Sequence, residues 1–194
     1  MFLLLLTGPP GSGKSTVATA VHDGLGEAGF ANALIELDEL ERSYPPLPAD
    51  RLVSHVAALA GSYREAGYPL LLVTATVEDD PYRDAVLTAT GADEHLTVRL
   101  DAAPETVRRR VLDREPESWS GRDELAGAAH RLATTMRTLA GIDLVLKTDG
   151  EDAEAVAARL TDALRHHPAA PARLRSAARD PLDRVGLPVR REHP

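Results

Sequence analysis

Cysteine is absent from the 194 residues, so no disulfide, thiolate metal site or cysteine nucleophile is available. That absence fits a cytoplasmic protein, which is the expected location. No apolar run is long enough to span a bilayer, and no membrane association is expected. The opening run Met1-Phe2-Leu3-Leu4-Leu5-Leu6 lacks the basic residues of a signal peptide. It leads into Gly8-Pro9-Pro10-Gly11 rather than a small-residue cleavage site, and it reads as a buried strand. Positive charge is in deficit: 22 Lys and Arg face 30 Asp and Glu, giving a net charge of −8. Such a surface argues against broad binding to nucleic-acid phosphates, while leaving room for a local basic pocket. No internal repeat is present. What remains is the composition of one ordinary globular domain, 43% hydrophobic and 27% charged.

Short apolar runs alternate with amphipathic stretches. Phe2 to Thr7 predicts a buried strand, and a helix follows from about Gly13, with Val17, Val21 and Leu25 on one face and Gly29 as its stop. Ala33 to Leu37 predicts a second strand. Tyr44-Pro45-Pro46-Leu47-Pro48 is a loop, because its prolines cannot continue a helix. A helix from Asp50 presents Leu52, Val56, Leu59, Ala60 and Tyr63, ending near Gly67. Strands are expected at 69–74, 96–100 and 142–146. Helices are expected at 81–90, from Pro104, at 123–139 and at 153–164. Alternation of this kind implies a three-layer α/β fold around a five-stranded, mainly parallel sheet. Past His167 the periodicity fades into Pro, Ala and Arg. The expected division is therefore a domain over 1–167 and a C-terminal tail over 168–194 that is flexible or wraps the surface.

Gly8-Pro9-Pro10-Gly11-Ser12-Gly13-Lys14-Ser15 matches the phosphate-binding loop pattern G-x-x-x-x-G-K-[ST]. Glycines let the backbone curl so that its N–H groups converge on phosphate oxygens, and the helix that starts there adds the positive end of its dipole. Lys14 is placed to bridge the β- and γ-phosphates. The Ser15 hydroxyl is placed to ligate Mg²⁺, and Gly8, Gly11, Ser12, Gly13 and Thr16 complete the cradle. An accidental match is expected in under ~1% of chains of this length, and a strand before with a helix after makes it rarer. The expected cofactors are ATP and Mg²⁺.

Downstream residues separate kinases from other users of this loop. Asp38 closes the second strand, where ligands of open α/β sheets bind, and is a candidate base for an attacking hydroxyl. The competing role is a helix cap. Arg110 and Arg114 lie four apart, before a break at 115–121 with Trp119 and Gly121-Arg122 that reads as a small lid over about 114–122. At least one of Arg110, Arg114 and Arg122 is expected in the nucleotide site, where an arginine can stabilise a transferring phosphoryl group. Surface pairing with Glu105, Asp113 or Glu117 is the alternative.

The chain resembles the small P-loop kinase group that includes adenylylsulfate kinase, gluconate kinase, chloramphenicol phosphotransferase and zeta-toxin-like kinases. The likeness is carried by Leu6 to Thr16, Glu36 to Leu40, Arg99 to Glu105 with Arg110 and Arg114, and Asp143 to Thr148, together spanning about residues 2–165. It implies a P-loop kinase fold with a helical lid, Asp38 at the acceptor, Arg110 and Arg114 on phosphates and adenine, and Thr148 and Asp149 beside the base. Many relatives carry an aspartate at the third strand end, where this chain has Thr74, Ala75 and Thr76. Glu78 or Asp79 is a candidate to take its place at the metal, each being equally placed to cap the helix from Pro81 to Thr90.

The expected activity is transfer of the ATP γ-phosphoryl group to a hydroxyl of a small molecule, a metabolite or an antibiotic. Tyr44, Pro45, Pro46, Leu47 and His55 are candidates for one wall of the acceptor pocket, with Asp38 and Thr74 at its floor. Tyr63 is assigned to core packing. No arginine set for a monophosphate is evident, so a nucleoside or nucleotide kinase is the second reading. A non-catalytic nucleotide-responsive protein is the third. The oligomeric state is open, with a homodimer among the options.

Overall fold

The structure is a computed structural model that describes residues 1–176. Five strands form one sheet: β1 (Phe2–Thr7), β2 (Asn32–Glu36), β3 (Leu70–Ala75), β4 (Glu94–Asp101) and β5 (Leu144–Lys147). Their order is β2-β3-β1-β4-β5, and all four pairings are parallel. The apolar run at 2–6 is explained by period-two alternation in a strand covered on both faces. Phe2, Leu4 and Leu6 pack against α1 (Lys14–Glu27) and α7 (Ala153–His166) through Val17, Val21, Leu160 and Leu164. Leu3 and Leu5 point the other way, toward α3 (Ala49–Glu65) and α4 (Asp80–Thr90), and meet Leu52, Val56 and Val86. The result is the three-layer architecture expected from alternating strands and helices.

A third, smaller cluster joins α5 (Pro104–Arg114) to α6 (Arg122–Thr135), with Val107 and Val111 against Ala126, Ala129 and Ala133. This pair carries the segment expected as a lid. Residues 115–121 are a non-helical connection between two helices, and a 3₁₀ turn at Met136–Thr138 ends α6 early. A four-residue helix, α2 (Leu37–Leu40), directly follows β2, so Asp38 sits in its first turn rather than on the strand.

Packing continues past the expected boundary at 167. Ala170 and Leu174 are buried in the same cluster as Leu160 and Leu164, and Leu174 belongs to a short helix, α8 (Ala172–Ser176). The packed unit therefore continues to at least Leu174. The rest of the expected tail, 177–194, lies outside the described residues. Truncation after His167 removes both contacts. Losing a buried leucine costs about 2–5 kcal/mol. A chain ending at His167 is accordingly expected to show a lower urea midpoint than the full chain, and Leu174→Ala should reproduce most of that loss. An unchanged midpoint in both would contradict the docking of this segment.

Candidate active site

The loop between β1 and α1 lies at the carboxyl edge of the sheet, beside the point where the chain runs outward to β2 and returns to β3. Its shape depends on glycine at two positions. Gly11 has φ +80°, and a Cβ there would lie 2.7 Å from the Val107 carbonyl oxygen on α5. Gly13 has φ +97° and occupies the N-cap of α1, which receives no side-chain cap. By contrast, α4 and α7 are capped by the carboxylates of Asp79 and Asp152. The first N–H groups of α1 are thus left for an anion. Ser12 is buried, with no hydrogen-bond partner for its hydroxyl. Ser15 and Thr16 are exposed and line the cleft. These features fit a nucleotide triphosphate chain.

Lys14 is 6% exposed. Its Nζ donates to the carbonyl of Gly8 at 3.0 Å and to Thr76 Oγ1 at 2.9 Å, and lies 3.2 Å from Asp38 Oδ2. Burial holds its pKa below the ordinary lysine value, against the opposing pull of Asp38. Asp38 is oriented from two directions: the Thr76 backbone N–H donates to Oδ1 at 3.1 Å, and the Thr76 hydroxyl donates to Oδ2 at 3.1 Å. The capping alternative for Asp38 does not hold, since α2 has no side-chain cap. With its side chain 40% exposed, Asp38 remains open to the cleft while its geometry is fixed.

On the opposite side, Arg110 clamps the loop to the end of β5. Its Nη1 donates to Gly11 O at 3.3 Å and Thr148 Oγ1 at 3.0 Å, and Nη2 donates to Thr148 O at 2.7 Å. Arg114, one turn on, is exposed and paired with Glu115 at 2.6 Å. Both arginines line the cleft, together with Thr148, Trp119 and Val156. Arg122 does not join them: its Nε and Nη2 donate to the Leu112 carbonyl at 3.1 and 2.6 Å, tying α6 to the end of α5. Asp149 accepts from the Ala103 N–H at the start of α5 and is likewise occupied.

The cleft holds about 1960 Å³, room for a nucleotide and a second ligand. The half of the cleft beside Asp38 is formed by α2, the 46–52 segment and the turn after β3. Three expected wall residues, Tyr44, Pro45 and His55, and the expected floor residue Thr74 are elsewhere. Tyr44 is 99% exposed on the loop, His55 is exposed on α3 beside the buried Leu52–Val56–Ala60 stripe, and none of Tyr44, His55 or Thr74 lines the cleft. Thr74 is still inside β3, which runs to Ala75, and its hydroxyl is buried. Thr76, just past the strand end, takes the position in the cleft. Glu41 and Tyr82 line this half and were not singled out from the sequence, and Glu78, named there as a candidate near the metal, lines it too. Burial first, then Asp38 and Glu78, raises the Glu41 carboxyl above its usual value. Burial and the neighbouring Glu41 push the Tyr82 hydroxyl up to about 12. Asp79 is a cap, accepting from the Tyr82 N–H at 2.8 Å. Among the described residues, no group of three or more His, Asp or Glu is arranged to hold a metal ion. The exposed Ser15 hydroxyl, beside the phosphate cradle, instead fits a Mg²⁺ ion bound chiefly through nucleotide phosphates and water.

Residues 3–140 match the AAA domain family. No curated protein matches the chain. The fold is similar to that of the Mycobacterium tuberculosis APS kinase solved with AMPPNP and APS, with a TM-score of 0.64 and 22% identity over 84% of this chain and 96% of that one. An unliganded sugar kinase from a Janibacter species gives a TM-score of 0.63 and 20% identity over 88% and 98% of the two chains. A Sinorhizobium meliloti gluconokinase gives 0.52 and 22% over 84% and 97%. The chain therefore has the α/β fold of small P-loop kinases, with no single member identified. Among the described residues, no helix is long and apolar enough to cross a membrane.

Proposed function

The chain belongs to the AAA domain family, and on that premise we propose that it is an ATP-dependent phosphotransferase acting on a hydroxyl of a small molecule. The observation that carries this reading is the Lys14–Thr76–Asp38 network. It holds a carboxylate within 3.2 Å of the P-loop lysine in a cleft wide enough for donor and acceptor together. The room beside Asp38 for a second ligand favours transfer to an acceptor over hydrolysis by water.

Each group has a role that its position supports. The loop N–H groups and Lys14 take the triphosphate, which separates Lys14 from its present partner Asp38. Asp38 then accepts the proton of the acceptor hydroxyl as that oxygen forms a bond to the γ-phosphorus. The bond from the γ-phosphorus to the β,γ-bridging oxygen breaks, and ADP leaves with the electron pair. Thr76 keeps Asp38 aimed throughout. Ser15, together with the nucleotide phosphates, would hold Mg²⁺, which would supply charge neutralisation. Arg110 braces the loop, and Arg114 is free to swing from Glu115 onto the phosphoryl oxygens. The cysteine-free sequence and the use of ATP fit a cytoplasmic setting.

Because Arg114 is exposed and makes only a surface pair, Arg114→Ala should change stability by no more than about 1 kcal/mol. It should lower kcat by about 10²-fold. Equal kcat in variant and wild type would remove Arg114 from the phosphoryl site. The function itself is tested by incubating the protein with ATP, Mg²⁺ and a panel of hydroxyl-bearing metabolites and antibiotics, then weighing the products. A non-nucleotide compound that gains one phosphoryl group supports the proposal. Phosphorylation confined to nucleosides or nucleotides would move the protein to the second class.

A further inference from the structure

Helix α6 buries its small residues and turns its large ones outward. Ala126, Ala129 and Ala133 pack on Val107 and Val111 of α5. Leu125, at the edge of that cluster, and Leu132 are only half-buried and line the cleft. A helix that served only to brace α5 would place its leucines in the core, where burial makes them stabilising. Trp119, the one tryptophan of the chain, adds an indole that is 45% exposed and lines the same cleft. Its ring is seated rather than loose. Gly121 has φ −84° and ψ −4°, a turn conformation that residues with side chains also adopt, yet a Cβ there would lie 2.6 Å from the indole Cζ2. The missing side chain at 121 is what lets the ring lie against the chain. These groups belong to the half beside Asp38. Past α6, the Met136 carbonyl accepts from Arg99 at 2.9 Å, and the Ala140 N–H donates at 3.0 Å to Asp80 in the first turn of α4, the turn that carries Tyr82. Arg42, held chiefly by Glu39, also feels the Glu115 carboxylate where the 115–121 connection begins. Leu47 and Leu52, just before and within the first turn of α3, line the cleft as well.

We propose that the acceptor is an alcohol with an apolar ring, whose hydroxyl faces Asp38 while the ring is covered by Trp119 and the Leu125–Leu132 stripe of α6. The inference rests on the kinase reading for where the hydroxyl goes, and on the apolar lining for the ligand class. The cleft's 1960 Å³ exceeds one ordinary ligand pocket of roughly 300–1,000 Å³, so an acceptor larger than a bare polyol fits beside the nucleotide. The class is independent of the acceptor's charge, since Arg42, Arg114 and Glu41 all line the same cleft. An indole held in place and half-open to water offers a flat face to such a ring at little entropic cost.

The experiment compares alcohols that differ by one phenyl ring: 1,2-propanediol with 3-phenyl-1,2-propanediol, lactate with 3-phenyllactate, and alaninol with phenylalaninol. The pairs are neutral, anionic and cationic, so no charge is presupposed. Affinity is read by calorimetry with AMPPNP and Mg²⁺ present, and transfer by product mass with ATP. In at least one pair the phenyl member should bind tighter by roughly tenfold or more. Its binding should carry the more negative heat-capacity change, the mark of apolar burial. Trp119 is the only indole, so a blue shift of tryptophan emission on adding the phenyl member reports that its ring is covered. Trp119→Ala and Gly121→Ala should each abolish the preference, the second by displacing the ring without straining the backbone. Trp119→Phe should retain most of it, which separates loss of the aromatic face from loss of the fold. Phenyl and methyl members that bind alike in every pair would overturn the inference and leave the kinase reading standing. An emission shift already complete with AMPPNP alone would place the indole on the nucleotide and overturn it as well. Phenyl members that bind preferentially, with no alcohol gaining phosphate, would uphold the apolar subsite and overturn the kinase reading.

Discussion

Lys14→Ala is expected to lower kcat/KM for ATP-dependent transfer by about 10²–10³-fold and to weaken ATP binding, with the fold retained. The magnitude is that of removing one preorganised charge from a phosphoryl-transfer site. Nζ is a side-chain cation built into the loop, 3.0 Å from the Gly8 carbonyl, while Arg110 reaches the Gly11 carbonyl from α5. The fold should survive because the partner left behind, Asp38, stays half-open to water and keeps both hydrogen bonds from Thr76. A melting curve close to wild type, together with lost turnover, is the expected pair of results. Turnover near wild type would show that the loop does not hold the donor phosphates.

Asp38→Asn should cut kcat by ~10²–10⁴, the usual cost of losing a general base. ATP affinity should hold or rise, because the substitution frees Lys14 from a 3.2 Å ion pair that the triphosphate must otherwise displace. The split between the two parameters is diagnostic. A fall in kcat with unweakened ATP binding assigns Asp38 to the acceptor. Weaker ATP–Mg²⁺ binding would place it around the metal instead. Thr76→Val provides a graded comparison. It removes the hydroxyl that links Lys14 to Asp38 but leaves the Thr76 backbone N–H bond intact, so its effect on kcat should be smaller than that of Asp38→Asn.

β1 and β3 were legible because they are apolar runs buried on both faces, and β4 was legible because Leu96, Val98 and Leu100 alternate with polar residues. The loop was legible because Gly8 to Ser15 is a contiguous motif whose chemistry does not depend on distant residues. The acceptor wall was not. Glu41 and Tyr82 are 41 positions apart in sequence and meet where the end of α2 faces the first turn of α4. Thr74 and Thr76 differ by two residues, and whether β3 ends before or after Ala75 decides which of them faces the cleft. His55 follows Leu52 at helical spacing, yet it lies off the stripe Leu52–Val56–Ala60 that α3 buries. Ala170 and Leu174 sit among Pro, Ala and Arg with no periodicity. Their burial reflects tertiary docking against α7 rather than any local propensity.

Transfer of the phosphoryl group differs from hydrolysis of ATP, or from its use as a conformational signal, in where the γ-phosphate ends up. The most direct measurement follows ATP labelled with ³²P at the γ-position, incubated with protein, Mg²⁺ and the compound that most stimulates ADP release. Phosphotransfer predicts that the label appears in the compound in a one-to-one ratio with ADP, and that Asp38→Asn abolishes this signal while still binding ATP. Label appearing only as inorganic phosphate, or ATP bound and released unchanged whatever compound is present, would contradict it.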